Sequence, residues 1–236
     1  MVFFTGMLRT ADMDYEYENK PAYTTVNATL DNGESVTLEG GALIAHSENI
    51  DMETHSSAGG MLGSIKKSML ADEETFRNTF TATANDQYVK FAQNQPGDMT
   101  AIDLNAETYY VQSGSYVANG EGVETDTASG GMSSWLGGKG LFFLEASGSG
   151  TLFVGSYGGI IQTELDRGEK ITVDTGHSVA WHADVDFSTH RVGGLKSTLL
   201  GGEGFVMTFE GPGTVYLQTR DYSSFIADIA SNIDTD

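Results

Sequence analysis

The sequence predicts an all-β fold made of three copies of one β-rich unit, with a short helix at the C-terminus. Glycine occurs 30 times against three prolines, and Val, Ile, Thr, Tyr and Phe recur in short runs, as expected for brief strands joined by glycine turns. Long segments with a helical period are missing, although the hydrophobic residues, 39% of the chain, are spread along its length. A glycine-anchored pattern also returns three times: VTLEGGALIAH around Gly40, VQSGSYVAN around Gly114 and VDTGHSVAWH around Gly176, at spacings of 74 and 62 residues. A glycine pair follows 16 to 19 residues later in each case, at Gly59-Gly60, Gly130-Gly131 and Gly193-Gly194.

The first 21 residues are polar and tyrosine-rich, and are expected to be loosely held or to form an edge hairpin. AYTTVNATL (22–30) alternates, which puts Val26, Ala28 and Leu30 on one face of a strand. DNGES (31–35) supplies a turn, and VTLEGGALIAHS (36–47) resumes the sheet. GKGLFFLEASGSGTLFV (138–154) and GEGFVMTFEGPGTVYLQ (202–218) each read as strand, Gly-x-Gly turn and strand. The first of them has one extra residue, which a β-bulge would absorb. The corresponding part of the first unit has lost its turn glycines, while TVYLQT (214–219) reads as a buried strand.

Helical signal is confined to SIKKSML (64–70), more weakly SSWLG, and DYSSFIADIASNI (221–233). The last places Phe225, Ile226, Ile229 and Ile233 on one side, with Asp221 or Ser224 able to cap it. That stripe must be covered by the protein's own sheet, a partner subunit or a surface. The predicted organisation is a single all-β domain over 1–236, with units at about 22–100, 101–165 and 166–220 and a helical tail at 221–236. Closure of the units around a pseudo-threefold axis would remove exposed strand edges.

Acidic residues outnumber basic ones by 33 to 12, giving a net charge of -21. A surface this negative repels phosphate backbones and anionic lipid, so nucleic acid is not an expected partner. The simplest cause is halophilic adaptation to a salt-rich cytoplasm, where counterions screen the self-repulsion. The chain has no cysteine, which excludes disulfides, thiol catalysis and thiolate metal sites. Its N-terminus lacks the pattern of a signal peptide and no window approaches 18 apolar residues, so the expected residence is cytoplasmic, with peripheral membrane contact through the C-terminal helix.

No residue set reads as catalytic, cofactor-binding or metal-binding. His177 and His182, with Asp184 and Asp186 beyond, fall on opposite faces of a single strand, so a shared metal would need a turn between them. His46 and His55 read as loop or edge histidines, and His190 beside Arg191 as a surface or interface pair. There is no Gly-x-Ser-x-Gly elbow, and GSG (148–150) more simply joins two strands. Lys66 and Lys67 follow glycines without the spacing of a phosphate loop, and EGPGT (210–214) reads as a turn fixed by Pro212. Glu145 and Glu164 lie near strands without assignable acid and base roles. Trp135, Trp181, Phe142, Phe143 and Tyr216 read as core or subunit-contact aromatics.

The runs GGEGFVMTFEGPGTVYLQTR (201–220), VDTGHSVAWHADVDF (173–187) and VGGLKSTLL (192–200) closely resemble the family named for the altered-inheritance-of-mitochondria proteins. PGDMTAIDLNAETYYVQSGSYVANGEGVE (96–124) and TLDNGESVTLEGGALIAHSENIDMETHSSAGG (29–60) extend the resemblance over about residues 22 to 220. The resemblance implies a β-prism-like fold similar to the trp RNA-binding attenuation protein, no assigned reaction, and links to inner-membrane organisation and respiratory-complex assembly. The chain departs from the family pattern at ADEETF (71–76), where a Gly-Glu-Ser-like turn is usual, and at Lys139, where glutamate is usual.

The expected function is therefore that of a noncatalytic scaffold that binds itself, as a homotrimer or higher cyclic form, and binds a membrane-associated assembly. A small-ligand or carbohydrate-binding module would require a concave aromatic pocket. A hydrolase would require His177 or His182 to meet carboxylates or an ion.

Overall fold

The computed structural model describes residues 8–10, 12–56, 76–127, 143–191 and 205–233. Among the described residues the architecture is all-β, with large antiparallel sheets and a C-terminal α-helix. The three glycine pairs, the helical candidates at 64–70 and SSWLG, and Lys66, Lys67, Trp135, Lys139 and Phe142 lie outside the described residues.

The chain opens with β1 (Leu8–Arg9) and β2 (Asp14–Glu18), a hairpin laid against the edge of β3 (Thr25–Leu30). In β3 the alternation read from the sequence is realised: Val26, Ala28 and Leu30 are fully buried and the residues between them are half-buried on the other face. Then follow β4 (Ser35–Glu39), β5 (Leu43–His46), β6 (Ile50–Ser56), β7 (Phe76–Ala82) and β8 (Gln87–Phe91). β8 pairs with β3 on one side and β5 on the other, while β7 lies between β4 and β6.

The middle of the chain uses longer strands. β9 (Met99–Gln112) and β12 (Phe143–Gly155) pair along their whole lengths, with β11 (Val123–Thr127) on the first part of β12. β10 (Tyr116–Gly120) lies between β12 and β4, tying the middle stretch to the first. The last stretch has β13 (Ile160–Leu165), β14 (Lys170–Asp174), β15 (Ser178–His182), β16 (Asp186–Arg191), β17 (Phe205–Glu210) and β18 (Gly213–Gln218). β18 pairs with β13 and β15, β15 pairs back onto β9, and β17 lies between β14 and β16. A bulge does occur near GSG (148–150), but the unmatched residue is Ala106 of the facing strand, at a positive φ of 61°.

Three apolar clusters follow this order. Phe80, Phe91 and Phe153 belong to the first, Val111, Tyr116 and Leu152 to the second, and Trp181, Met207 and Phe209 to the third. Each draws on strands from neighbouring stretches, so β10 and β15 act as both sheet and inter-stretch mortar.

The N-terminal hairpin is also fastened by a polar contact. Thr151, fully buried, has its Oγ1 2.6 Å from Asp12 Oδ1 and 2.7 Å from Thr10 Oγ1, and its backbone N–H donates to Asp12 Oδ2 at 3.0 Å. Two glycines make room for that carboxylate: a Cβ at Gly120 or Gly150 would come within 1.8 or 2.6 Å of Asp12 Oδ2. Asp12→Ala strands the Thr151 N–H in the interior and leaves its hydroxyl only Thr10, so a loss of about 1–3 kcal/mol is expected in urea denaturation. A loss below about 0.5 kcal/mol would mean that water replaces the carboxylate at no cost.

Candidate interaction surface

The histidines do not assemble a reactive centre. His177 sits in a single 3-10 turn, Thr175–His177, and its Nδ1 lies 2.7 Å from the Gln218 carbonyl oxygen. His182 ends β15, 3.9 Å from Glu107 and 3.8 Å from Asp184, and packs edge-on against Tyr109. The two therefore do not share one strand, and each has its own partners. His46 is exposed beside the Ser47 carbonyl, His55 stands on β6 opposite Arg77, and His190 is exposed on β16. Among the described residues no group of three His, Cys, Asp or Glu side chains is placed to hold a metal ion.

Glu145 lies opposite Tyr110 across the β9–β12 ladder, whereas Glu164 accepts from Thr214 Oγ1 at 2.7 Å on the β13–β18 ladder. Burial raises the phenols of Tyr109 and Tyr216 above their ordinary value, with Glu107 and Glu164 adding to the rise, so both stay protonated at neutral pH. The contact of His182 with Glu107 was invisible in the sequence, because it depends on which strand β15 joins.

The aromatics are mainly core. Trp181 is fully buried, with Phe143, Phe187, Phe209 and Tyr110 around it at centroid distances of 4.8, 5.1, 5.3 and 5.8 Å. An open groove of about 390 Å³ is lined by Glu39, Gly40, Phe76, Gln93, Asn94, Gln95 and Gly114. With Phe76 as its one aromatic, it lacks the stacked rings of a carbohydrate platform.

The C-terminal helix α1 (Tyr222–Ser231) carries the apolar stripe read from the sequence. Asp221 caps it, accepting from the Ser223 and Ser224 N–H groups at 3.0 Å each, which neutralises orphan donors of the first turn. The cap fixes where the helix starts, and Tyr157 holds its base through ring contacts with Tyr222 and Phe225. Beyond this, no residue of α1 is buried. Phe225, Ile226, Ile229 and Ile233 remain 44%, 44%, 40% and 59% exposed, so the described strands leave the stripe partly open. Among the described residues no helix is long and apolar enough to cross a membrane.

Comparison with known proteins agrees with the architecture. The chain is 30% identical over 220 residues to an uncharacterised protein of Streptococcus pyogenes serotype M6, covering 90% of this chain and 88% of that one. A crystal structure of a Streptococcus pyogenes protein superposes with a TM-score of 0.77 at 28% identity, covering 94% of this chain and all of that one. The model of the mitochondrial biogenesis AIM24 family matches residues 15–220, and with nearly the whole sheet framework inside that match, the chain belongs to this family.

Proposed function

We propose that the protein is a noncatalytic scaffold that associates with itself and holds out α1 to a protein partner at a membrane. The carrying observation is the apolar stripe: a capped, anchored helix leaves Phe225, Ile226 and Ile229 partly open to water, and Ile233 just past its end extends the same stripe. Burying what remains exposed of each is worth about 1 kcal/mol, which favours docking. Among the described residues no His, Cys, Asp or Glu group is placed to hold a metal ion, which is consistent with this reading. The family's description, mitochondrial biogenesis, favours a membrane-associated assembly as the partner by analogy, with the protein in the cytoplasm and peripheral to the membrane.

The same reading takes the chain as three units similar to the trp RNA-binding attenuation protein. Its support is the recurrence of paired ladders in the three stretches, β3–β8 with β4–β7, the two halves of β9–β12, and β13–β18 with β14–β17. RNA binding does not transfer with the fold, since function resides in a site and the net charge is -21.

Affinity capture of the tagged protein from gently lysed producing cells tests this, in their own salt, with membrane and soluble fractions analysed by mass spectrometry. A reproducible membrane complex is expected, and it should be lost in the triple variant Phe225→Ser, Ile226→Ser, Ile229→Ser. Phe225→Ser also gives up the ring contact with Tyr157, so the double variant Ile226→Ser, Ile229→Ser is the cleaner probe and should stay within about 1 kcal/mol of the parent. An unchanged set of partners would remove α1 from the account.

A further inference from the structure

We infer that copies of this chain join head to tail, the free edge of β5 in one copy pairing with the free edge of β14 in the next. This deepens the self-association in the reading above and rests on it. It starts from a ladder that the chain already forms twice within itself. β10 pairs with β4 at Ala118↔Leu38, Asn119↔Thr37 and Gly120↔Val36, and β15 pairs with β9 at Ala180↔Val111, Trp181↔Tyr110 and His182↔Tyr109.

β5 is the counterpart of β10 and β15. Each of the three meets its other neighbour with the same break in register: Leu43↔Phe91 then Ala45↔Lys90, Tyr116↔Val154 then Ala118↔Phe153, and Ser178↔Leu217 then Ala180↔Tyr216. The alanine after the break is therefore one structural position seen three times. β14 is likewise the counterpart of β4. The turns before them close alike, with Asp31 N–H donating to Glu34 Oε2 at 2.8 Å and Asp166 N–H to Glu169 Oε2 at 2.9 Å. The hydroxyl pair Thr37–Thr79 at 2.9 Å has its match in Thr172–Thr208 at 3.1 Å. A β5–β14 ladder would complete the series, yet among the described residues β5 pairs only with β8 and β14 only with β17.

Burial marks the place of the absent strand on both sides. Ile44 is 52% exposed, whereas its counterparts Val117 and Val179 are 1% and 0% exposed. Val36 and Leu38 of β4 are fully buried, but the matching Ile171 and Val173 of β14 are only partly so. A bare edge offers a row of backbone donors and acceptors to another strand. Continuing the register of the two internal ladders sets Ala45 opposite Val173, His46 opposite Thr172 and Ser47 opposite Ile171, which brings Glu48 to Lys170. Because the two edges differ, the contact is heterologous and generates a closed ring or an open filament.

The cysteine-free chain permits a direct test. Opposed Cα atoms in an antiparallel pair lie about 4.5–5.5 Å apart, within disulfide reach, so oxidation of the double variant His46→Cys, Thr172→Cys should give a ladder of covalent oligomers on a non-reducing gel. Either single variant should stop at a dimer. Ala45→Arg, on a residue exposed in the single chain, would bury an unpaired charge in the contact and should weaken association by at least about 100-fold in sedimentation velocity, with the far-ultraviolet circular dichroism spectrum unchanged. The α1 triple variant should leave association intact, which separates a failure of this contact from a failure of helix docking. Sedimentation of the parent chain only as a 25.2 kDa species in concentrated KCl would overturn the inference. So would an oligomer indifferent to Ala45→Arg, or a double-cysteine chain that yields no species beyond the dimer.

Discussion

Replacing Trp181 with alanine is expected to cost about 3–5 kcal/mol. Trp181 is fully buried at the junction of two stretches: it stands on β15, opposite Tyr110 of β9, and four aromatic rings surround it. Truncation removes the transfer energy of the indole and leaves a cavity whose walls belong to separate ladders, so they cannot all collapse inward. A domain holds only about 5–15 kcal/mol in total, so the variant approaches the unfolding threshold. The indole Nε1 is buried without a hydrogen-bond partner among the described residues, which means that part of the side chain already works against the fold. Trp181→Phe should therefore cost much less than Trp181→Ala, because it deletes that donor while keeping a ring. Urea titration followed by far-ultraviolet circular dichroism reads both. Tyr23→Ala, at a residue 71% exposed, is the control and should stay within about 0.5 kcal/mol. Equal losses for alanine and phenylalanine at 181 would show that the indole itself, and not aromatic packing, holds the junction.

Much of this fold was legible because local rules act within a few residues. The alternation of Val26, Ala28 and Leu30 names the buried face of β3, and the aspartate before an apolar stripe names the start of α1. What period-two patterning does not encode is the partner at each edge. Leu38 and Ala118 are both apolar strand residues, but nothing in either segment says that they face one another. The links β10–β4 and β15–β9, and with them the contact of His182 with Glu107, therefore emerged only in three dimensions. Asp12 was hidden for a related reason. It is one acid among 33, and its role depends on two distant glycines that leave space for its carboxylate. The stripe of α1 was readable as a helix face, while its exposure was not, because coverage is a property of the tertiary neighbours.

Raising KCl from about 0.1 M to about 2 M should lift the melting temperature by about 10 °C, a shift that corresponds to roughly 3–5 kcal/mol for a chain of this size. The described ion pairs, Lys20–Asp98, Lys90–Glu18 and Lys170–Glu210, engage few of the carboxylates in a chain of net charge -21. The remainder repel one another over a Debye length of about 10 Å at 0.1 M salt, which shrinks to about 3 Å at 1 M. Folding concentrates these charges, so screening favours the folded state more than the expanded chain. Asp103 adds a titratable part. Partial burial of its carboxyl, and next Asp12, raise it above the usual value, but the residue stands exposed on β9, so its ionised form opposes folding only weakly. Its contribution is unfavourable above the folded pKa and is relieved as pH falls through that value toward the unfolded one. Mild acidification and added salt thus act in the same direction, and Asp103→Asn should stabilise the protein at neutral pH. The gain should be smaller in concentrated KCl, where the part owed to Asp12 is screened but the part owed to burial persists. Sucrose separates screening from general solvent exclusion, because it strengthens burial without adding ions. Matching shifts in sucrose and KCl would assign the effect to exclusion, and the surface charge would then need a cause other than life in concentrated salt.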